Sequence, residues 1–201
     1  MSAVDLDFRV AFVTCLVLMT AVRVFWHRRA QIFQPGVKNP EEGPGVGILR
    51  WLTLPAFALI IGAWVIDPML LPWARIPLPE AARWAGAPIF GVGLVLLFWV
   101  HQTLGRNFSP YLRIREAHTL VTAGPYARVR HPMYTAFLLL VGGLALLSAH
   151  LLMVLTGFGI LGAVLIIRTP REEAMLAEHF GERYEAYRAR TGRLLPRWSM
   201  S

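Results

Sequence analysis

Cysteine is almost missing from this chain: Cys15 is alone among 201 residues. An intrachain disulfide is therefore excluded, and nothing suggests a thiol site. Charge is scarce as well, at 16% against 56% hydrophobic residues, and the mean hydropathy of +0.51 lies far from that of a soluble domain. Between Arg130 and Arg168 there is no Lys, Arg, Asp or Glu at all. As one helix that stretch would be on the order of 55 Å long, well beyond a ~30 Å hydrocarbon core, so it must fold back on itself. The N-terminal apolar run is preceded by Asp5 and Asp7 and lacks a basic leader and a small-residue cleavage pattern. A retained first span is expected, with no lipidation motif at either end.

What is present is a series of apolar runs. The expected fold class is all-α and integral to the membrane, with five transmembrane helices. The first three run over about Phe8 to Trp26, Ile48 to Ile66 and Trp84 to Leu104. The fourth starts at Pro132 and the fifth ends near Arg168, with the hairpin tip at Ser148, Ala149 and His150. Arg9 and Arg23 sit close enough to the ends of span one to snorkel. Trp26, Trp51, Trp73, Trp84 and Trp99 flank the runs, as headgroup anchors do. Cys15 falls inside span one, facing lipid or packing. Two parts follow: residues 1–99 with spans one to three and a Pro/Gly-rich loop, and residues 100–201 with a long connector, the hairpin and a C-terminal helix.

The formal net charge is +8. No nucleic-acid motif accompanies it, so no nucleic-acid partner is expected. The basic residues have a sided distribution instead. Arg28, Arg29, Lys38 and Arg50 follow span one; Arg106, Arg113, Arg115, Arg128 and Arg130 follow span three; seven arginines lie from Arg168 onward. Only Arg9, Arg75 and Arg83 fall on the other side. This bias places the N-terminus outside and the C-terminus in the cytoplasm.

Residues 31–47 read as a Pro/Gly-rich connection. Residues 105–131 are long for a connector in a small chain, which points to function; within them LRIR and TLVT are spaced to pair as a short hairpin. Over residues 171–190, Leu176, Phe180, Tyr184 and Tyr187 recur at spacings of four and three, the pattern of an amphipathic helix at the interface. Pro170 suits its first position, and Glu172 and Glu173 its positively polarised first turn. On a regular helix Glu173 lies roughly 25° from the centre of that stripe and Glu172 roughly 75° away. Periodicity therefore selects Glu173 as the inward carboxylate.

Three polar groups meet on the cytoplasmic side: His118 to Val121 with Gly124 and Tyr126; Arg130, His131 and Pro132 at the start of span four; and Arg168, Glu172 and Glu173 at the end of span five. The hairpin brings the last two groups to adjacent helix mouths. Each residue has an ordinary explanation alone. Arg128 and Arg130 serve as topogenic charges, Pro132 needs no partner at a helix start, His131 suits an interface, and the glutamates complement a helix dipole. Together, free N–H groups at a helix start attract an anion while carboxylates attract a cation, so a zwitterionic ligand fits. No metal site is expected.

HTLVTAGPYARVRHPMY, then RTPREEAML, then FGERYEAYRAR and LLP, resembles the isoprenylcysteine carboxyl methyltransferase family and, more distantly, the phospholipid methyltransferases. The resemblance covers about residues 100–197, beginning with LGRNFS at Leu104. It implies an integral membrane methyltransferase with S-adenosylmethionine in a cytosolic pocket and a tunnel toward the lipid for a lipophilic methyl acceptor. It implies cofactor contacts from His118, Thr119, Leu120 and Val121, with Gly124 and Tyr126 after them, from His131, Pro132, Met133 and Tyr134, and from Glu172, with Glu173 beside it. Arg168 would orient the methyl-accepting carboxylate, and Arg130 and Glu172 would stand with it in the reacting constellation. Where some members place a glutamine seven positions before the histidine, this chain has Tyr111.

A carboxylate acceptor is already ionised at neutral pH and needs no general base, whereas positioning alone supplies ~7 to 11 kcal/mol. The acceptor class stays open among a prenylated cysteine carboxylate, a phospholipid amine and a small lipophilic thiol, phenol or acid. Two other readings stand beside this one. A membrane reductase using NADPH is the first, and no extra basic cluster for a 2′-phosphate supports it. A non-catalytic lipid-binding or interaction module is the second. The oligomeric state is not legible.

Overall fold

A computed structural model describes residues 3–33, 44–108 and 119–197. These are helical without a strand, and the chain is a multi-pass membrane protein. Helices α1 (Ala3–Phe33) and α2 (Pro44–Ile66) are followed by the short α3 (Glu80–Trp84), then α4 (Gly86–Leu104), α5 (Pro132–Ser148), α6 (Leu151–Phe180) and α7 (Glu182–Arg190). Three stretches are long and apolar enough to cross a bilayer, Asp5–Ala30, Glu80–Asn107 and Leu151–Phe180. Shorter apolar helices occupy Pro55–Ile66 and Pro132–Ser148.

The core lies between α1, α2, α4 and α5, where Phe8, Phe12, Trp64, Phe90, Leu97, Leu140 and Leu147 are buried. Cys15 packs into it. Val17, Leu59, Val92, Val95, Leu155 and Ile166 stay exposed, as lipid-facing side chains do. α5 packs along α4, with α1 and α6 on its other sides. Small residues permit this approach: a Cβ on Gly143 would lie 2.6 Å from the Gly86 carbonyl oxygen and 2.7 Å from Phe90 Cβ.

At one end of the bundle Asp5 pairs with Arg83 (3.6 Å) and Arg75 (3.9 Å), and Arg9 donates to the last carbonyls of α2 at Val65 and Ile66. The hairpin tip is here. Ala149 takes a left-handed conformation (φ 47°), its carbonyl accepts Ile76 N–H (2.8 Å), and Arg83 donates to Leu147 O (3.0 Å). The turn at 148–150 is thus where the polar break in the sequence puts it. The mouths of α5 and α6 open at the opposite end.

Two expectations fail here. No helix starts at Pro170, because α6 runs through it to Phe180. A proline in a helix interior removes one i→i−4 bond and tends to bend the helix, and the flanking turns carry this one. The polar residues 168–180 are therefore a continuation of the apolar helix α6. The break comes at Gly181, whose φ of 53° and ψ of −130° suit only glycine, so the apolar stripe from Leu176 to Tyr187 is shared between two helices. Likewise residues 31–33 and 44–47, expected in a loop, are helical. The proposed LRIR and TLVT hairpin falls largely outside the described residues, and its described half, 119–122, is not a strand.

Candidate active site

The site forms at the mouths of α5 and α6, closed by the connector at 119–131 and by α7 with its tail. Pro132 opens α5 with His131 as its cap, so the first N–H of the helix, that of Met133, has no carbonyl four residues back within the helix. Across from it, on the extension of α6, lie Arg168, Glu172 and Glu173.

The two glutamates do different things. Glu173 Oε1 accepts from Arg130 Nε (3.1 Å) and His131 Nε2 (3.0 Å), with Arg193 Nε at 3.5 Å. The Glu173 and Arg130 side chains are each only 12% exposed, and His131 is 4% exposed. Arg130 also donates to the carbonyls of Arg188 (3.1 Å) and Thr191 (2.5 Å). Its fork ties α6, α7 and the tail together. Glu172 instead accepts only one described hydrogen bond, from Tyr134 Oη at 3.2 Å, and is half-buried. Its remaining lone pairs are available to a ligand.

The connector is fixed from both sides. Asn107 pairs with Thr119 through side chain and backbone (3.0 and 3.3 Å), and Gly124 is so close to α4 that a Cβ would lie 2.8 Å from Thr103 Oγ1. Tyr187 of α7 donates to Tyr126 O at 2.8 Å. The tail runs beside residues 128–131: Arg130 N–H donates to Gly192 O (2.8 Å), His131 N–H to Arg193 O (3.0 Å), and Gly192 N–H to Arg128 O (3.2 Å). Tyr126 is half-buried, and desolvation followed by the negative charge of Glu172 pushes its hydroxyl well above the usual phenol range. It stays neutral near that carboxylate.

Of the residues expected from sequence, Arg130, His131, Pro132, Tyr134, Arg168, Glu172, Glu173 and Tyr126 converge here. Thr119, Leu120, Val121 and Gly124 form the connector wall. Met133 is half-buried and packs toward the core shared with α1 and α4. His118 and Tyr111 lie outside the described residues. Asn107, Thr191 and Gly192 were not anticipated as parts of the site, although Asn107 falls in the LGRNFS stretch.

The family model for phospholipid methyltransferases matches residues 81–183, from α3 to the start of α7. Over 107 residues the chain is 32% identical to a probable protein-S-isoprenylcysteine O-methyltransferase of Oryza sativa subsp. indica, covering 52% of this chain and 56% of that protein. The chain belongs to the phospholipid methyltransferase family, and within it is similar to the isoprenylcysteine O-methyltransferases. It is also 38% identical over 124 residues to the cobalt-zinc-cadmium resistance protein CzcN of Cupriavidus metallidurans, covering 59% of this chain and 56% of that one. A solved structure of the eukaryotic intramembrane Ras methyltransferase ICMT matches with a TM-score of 0.59 at 23% identity, over 92% of this chain and 67% of that one, which shows the shared fold. The chain spans little more than half the length of these curated relatives.

Proposed function

We propose that the chain is a membrane methyltransferase using S-adenosylmethionine to methylate a lipophilic acceptor, with a prenylated cysteine carboxylate the favoured class. The observation that carries this is the division of labour between Glu172 and Glu173. With Glu173 engaged by Arg130 and His131, Glu172 is the carboxylate left for an ammonium group, as the family resemblance assigns it. Periodicity selects Glu173 as the inward carboxylate, and its side chain is the one held in the network with Arg130 and His131; for the cofactor this reading follows the family match to Glu172.

The donor set fits the cofactor's ends. Glu172 suits an ammonium, the N–H of Met133 in the first turn of α5 suits a carboxylate, and Leu120 and Val121 offer apolar walls to an adenine or ribose. The cofactor would supply the electrophilic sulfonium methyl. Tyr134 holds Glu172 in place by its hydrogen bond, and Arg168, one turn earlier on α6, faces the same mouth and would orient the acceptor carboxylate. The connector and α7 border that mouth. The end carrying the arginine-rich segments is the cytoplasmic one in this reading, which puts the C-terminus inside.

Calorimetric titration of the full chain with S-adenosylhomocysteine and with NADPH tests the cofactor class. Heat with S-adenosylhomocysteine alone is expected; heat with NADPH alone would move the chain to the reductase reading. Methyl transfer from labelled S-adenosylmethionine to prenylcysteine analogues, membrane lipids and small lipophilic acids then ranks the acceptors.

A further inference from the structure

The side chain of Arg128 takes no part in the site above. Its backbone is tied on both sides, N–H to Pro125 O (3.4 Å) and carbonyl to Gly192 N–H (3.2 Å), so its position is fixed by the same pairing that builds the pocket wall. The side chain borders a hollow of about 340 Å³ formed with Arg190, Arg197, Ala127 and Pro196, and no acidic residue lines it. Among the described residues neither Arg128 nor Arg190 is within ion-pairing distance of a carboxylate. Arg197 folds back to donate to the Ala189 carbonyl near the end of α7. Three arginines thus line one concavity in a chain already strongly basic, an arrangement that costs electrostatic energy unless an anion lies among them.

The position of the hollow identifies the anion's source. The tail that forms it is anchored to the first turn of the apolar helix α5, where Thr135 Oγ1 donates to Leu194 O at 2.6 Å. The next residue, Leu195, is 72% exposed, between Arg193 and Arg197. An exposed leucine flanked by arginines, level with the start of a membrane helix, matches a segment resting in the headgroup layer. Basic clusters immediately beside a membrane helix attract anionic headgroups. The geometry points to a phosphate-binding groove for an anionic phospholipid, formed by Arg128, Arg190 and Arg197 and held against the leaflet by Leu195. Such a lipid would bridge the connector, α7 and the tail, the three segments that close the catalytic mouth.

The test is native mass spectrometry of the full chain in neutral detergent, titrated with phosphatidylglycerol or phosphatidylcholine. Retention of phosphatidylglycerol over phosphatidylcholine, weakening with rising salt, is expected. Each arginine near a surface contributes about fivefold to such binding, so the Arg128→Gln and Arg190→Gln pair should weaken it by roughly 25-fold. The Arg128→Lys and Arg190→Lys pair should restore most of it. Arg183→Gln, an exposed arginine of α7 outside the hollow, should leave it unchanged. The groove is overturned if the glutamine pair retains the lipid as the parent does, or if Arg183→Gln weakens it equally, which would mean diffuse charge. Displacement by millimolar inorganic phosphate would show a site for soluble phosphate instead. Should the glutamine pair fail to fold, salt dependence in the parent and retention by the lysine pair still decide.

Discussion

Tyr187 donates its hydroxyl to the carbonyl of Tyr126, 61 residues earlier, at 2.8 Å, and so fastens the last helix of the chain onto the connector that walls the site. Tyr187 is 3% exposed, and its hydroxyl also lies 3.5 Å from Val129 O. Tyr187→Phe keeps the packing and removes the donor, leaving the half-buried Tyr126 carbonyl with one partner fewer. A loss of ~1 kcal/mol in stability is expected. If the connector contacts the cofactor, affinity for S-adenosylhomocysteine falls about fivefold. Thermal unfolding and calorimetric titration read the two effects separately.

The same hydroxyl predicts an alkaline limit. Burial pushes the Tyr187 phenol up to about 12, and Tyr184 is pushed to about 12 for the same first reason, against ~10 in an unfolded chain. Between those values the folded state holds more protons than the unfolded one. Stability is therefore complete below about pH 10 and falls as pH rises toward 12. Unfolding midpoints measured from pH 8 to 12 should drop above about 10, and less steeply in Tyr187→Phe. Equal slopes in both proteins would remove Tyr187 from this role.

Glu172 and Glu173 are adjacent in sequence yet should respond oppositely to neutralisation. Glu173→Gln leaves Arg130 and His131 without the carboxylate that both contact, and breaking a largely buried pair costs ~3 kcal/mol or more. Arg193, half-exposed, offsets little of this, so Arg193→Gln alone should cost under ~1 kcal/mol. Glu172→Gln keeps an acceptor for Tyr134 and should fold normally, while binding S-adenosylhomocysteine at least tenfold more weakly. The reverse pattern, in unfolding midpoint and titration, would exchange their roles.

Gly143→Ala tests the helix pair that supports the whole arrangement. The added Cβ would lie 2.6 to 2.8 Å from backbone atoms of Gly86 and Phe90, which cannot rotate away. Overpacking of this kind costs ~1 to 3 kcal/mol. Gly159→Ala, with open space around it, is the matched control and should be neutral or slightly stabilising. A lowered midpoint in both variants would point to a general effect on the bundle rather than to close packing of α4 and α5.

What the sequence revealed and what it hid divide along physical lines. Composition and the uncharged stretch after Arg130 were enough for an all-helical membrane protein with a hairpin turning at 148–150, because desolvating a charge in lipid is costly wherever the fold places it. The convergence of Arg130 and His131 with Glu172 and Glu173 followed from that hairpin. Periodicity misjudged the end of α6 because Pro170 was read as a start, whereas the local break lies in a single glycine, Gly181. It also gave Glu173 the inward role without showing what Glu173 meets, since its partners Arg130 and Arg193 arrive from remote segments. The pairing of residues 128–131 with the tail at 192–193 had no sequence signal, being made of backbone bonds that any side chain allows.

In the proposed reading Arg168 is the residue that would separate binding from turnover. It is half-buried one turn before Glu172, and its positive charge is felt at Tyr134, so it borders the mouth without joining the Glu173 network. If it orients an acceptor carboxylate, Arg168→Ala should lower turnover on a prenylcysteine analogue by ~100-fold or more, the scale seen when a group serving the transition state is removed. Affinity for S-adenosylhomocysteine should change less than about threefold, because in the proposed reading the cofactor's charged ends would be met by Glu172 and the start of α5. Arg168→Lys should recover part of the rate, keeping charge but losing the bidentate fork. An acceptor without a carboxylate, such as a lipid amine, should be far less affected. Equal loss on both acceptor classes would make Arg168 a structural residue, and unchanged turnover on the acid would remove it from the mechanism.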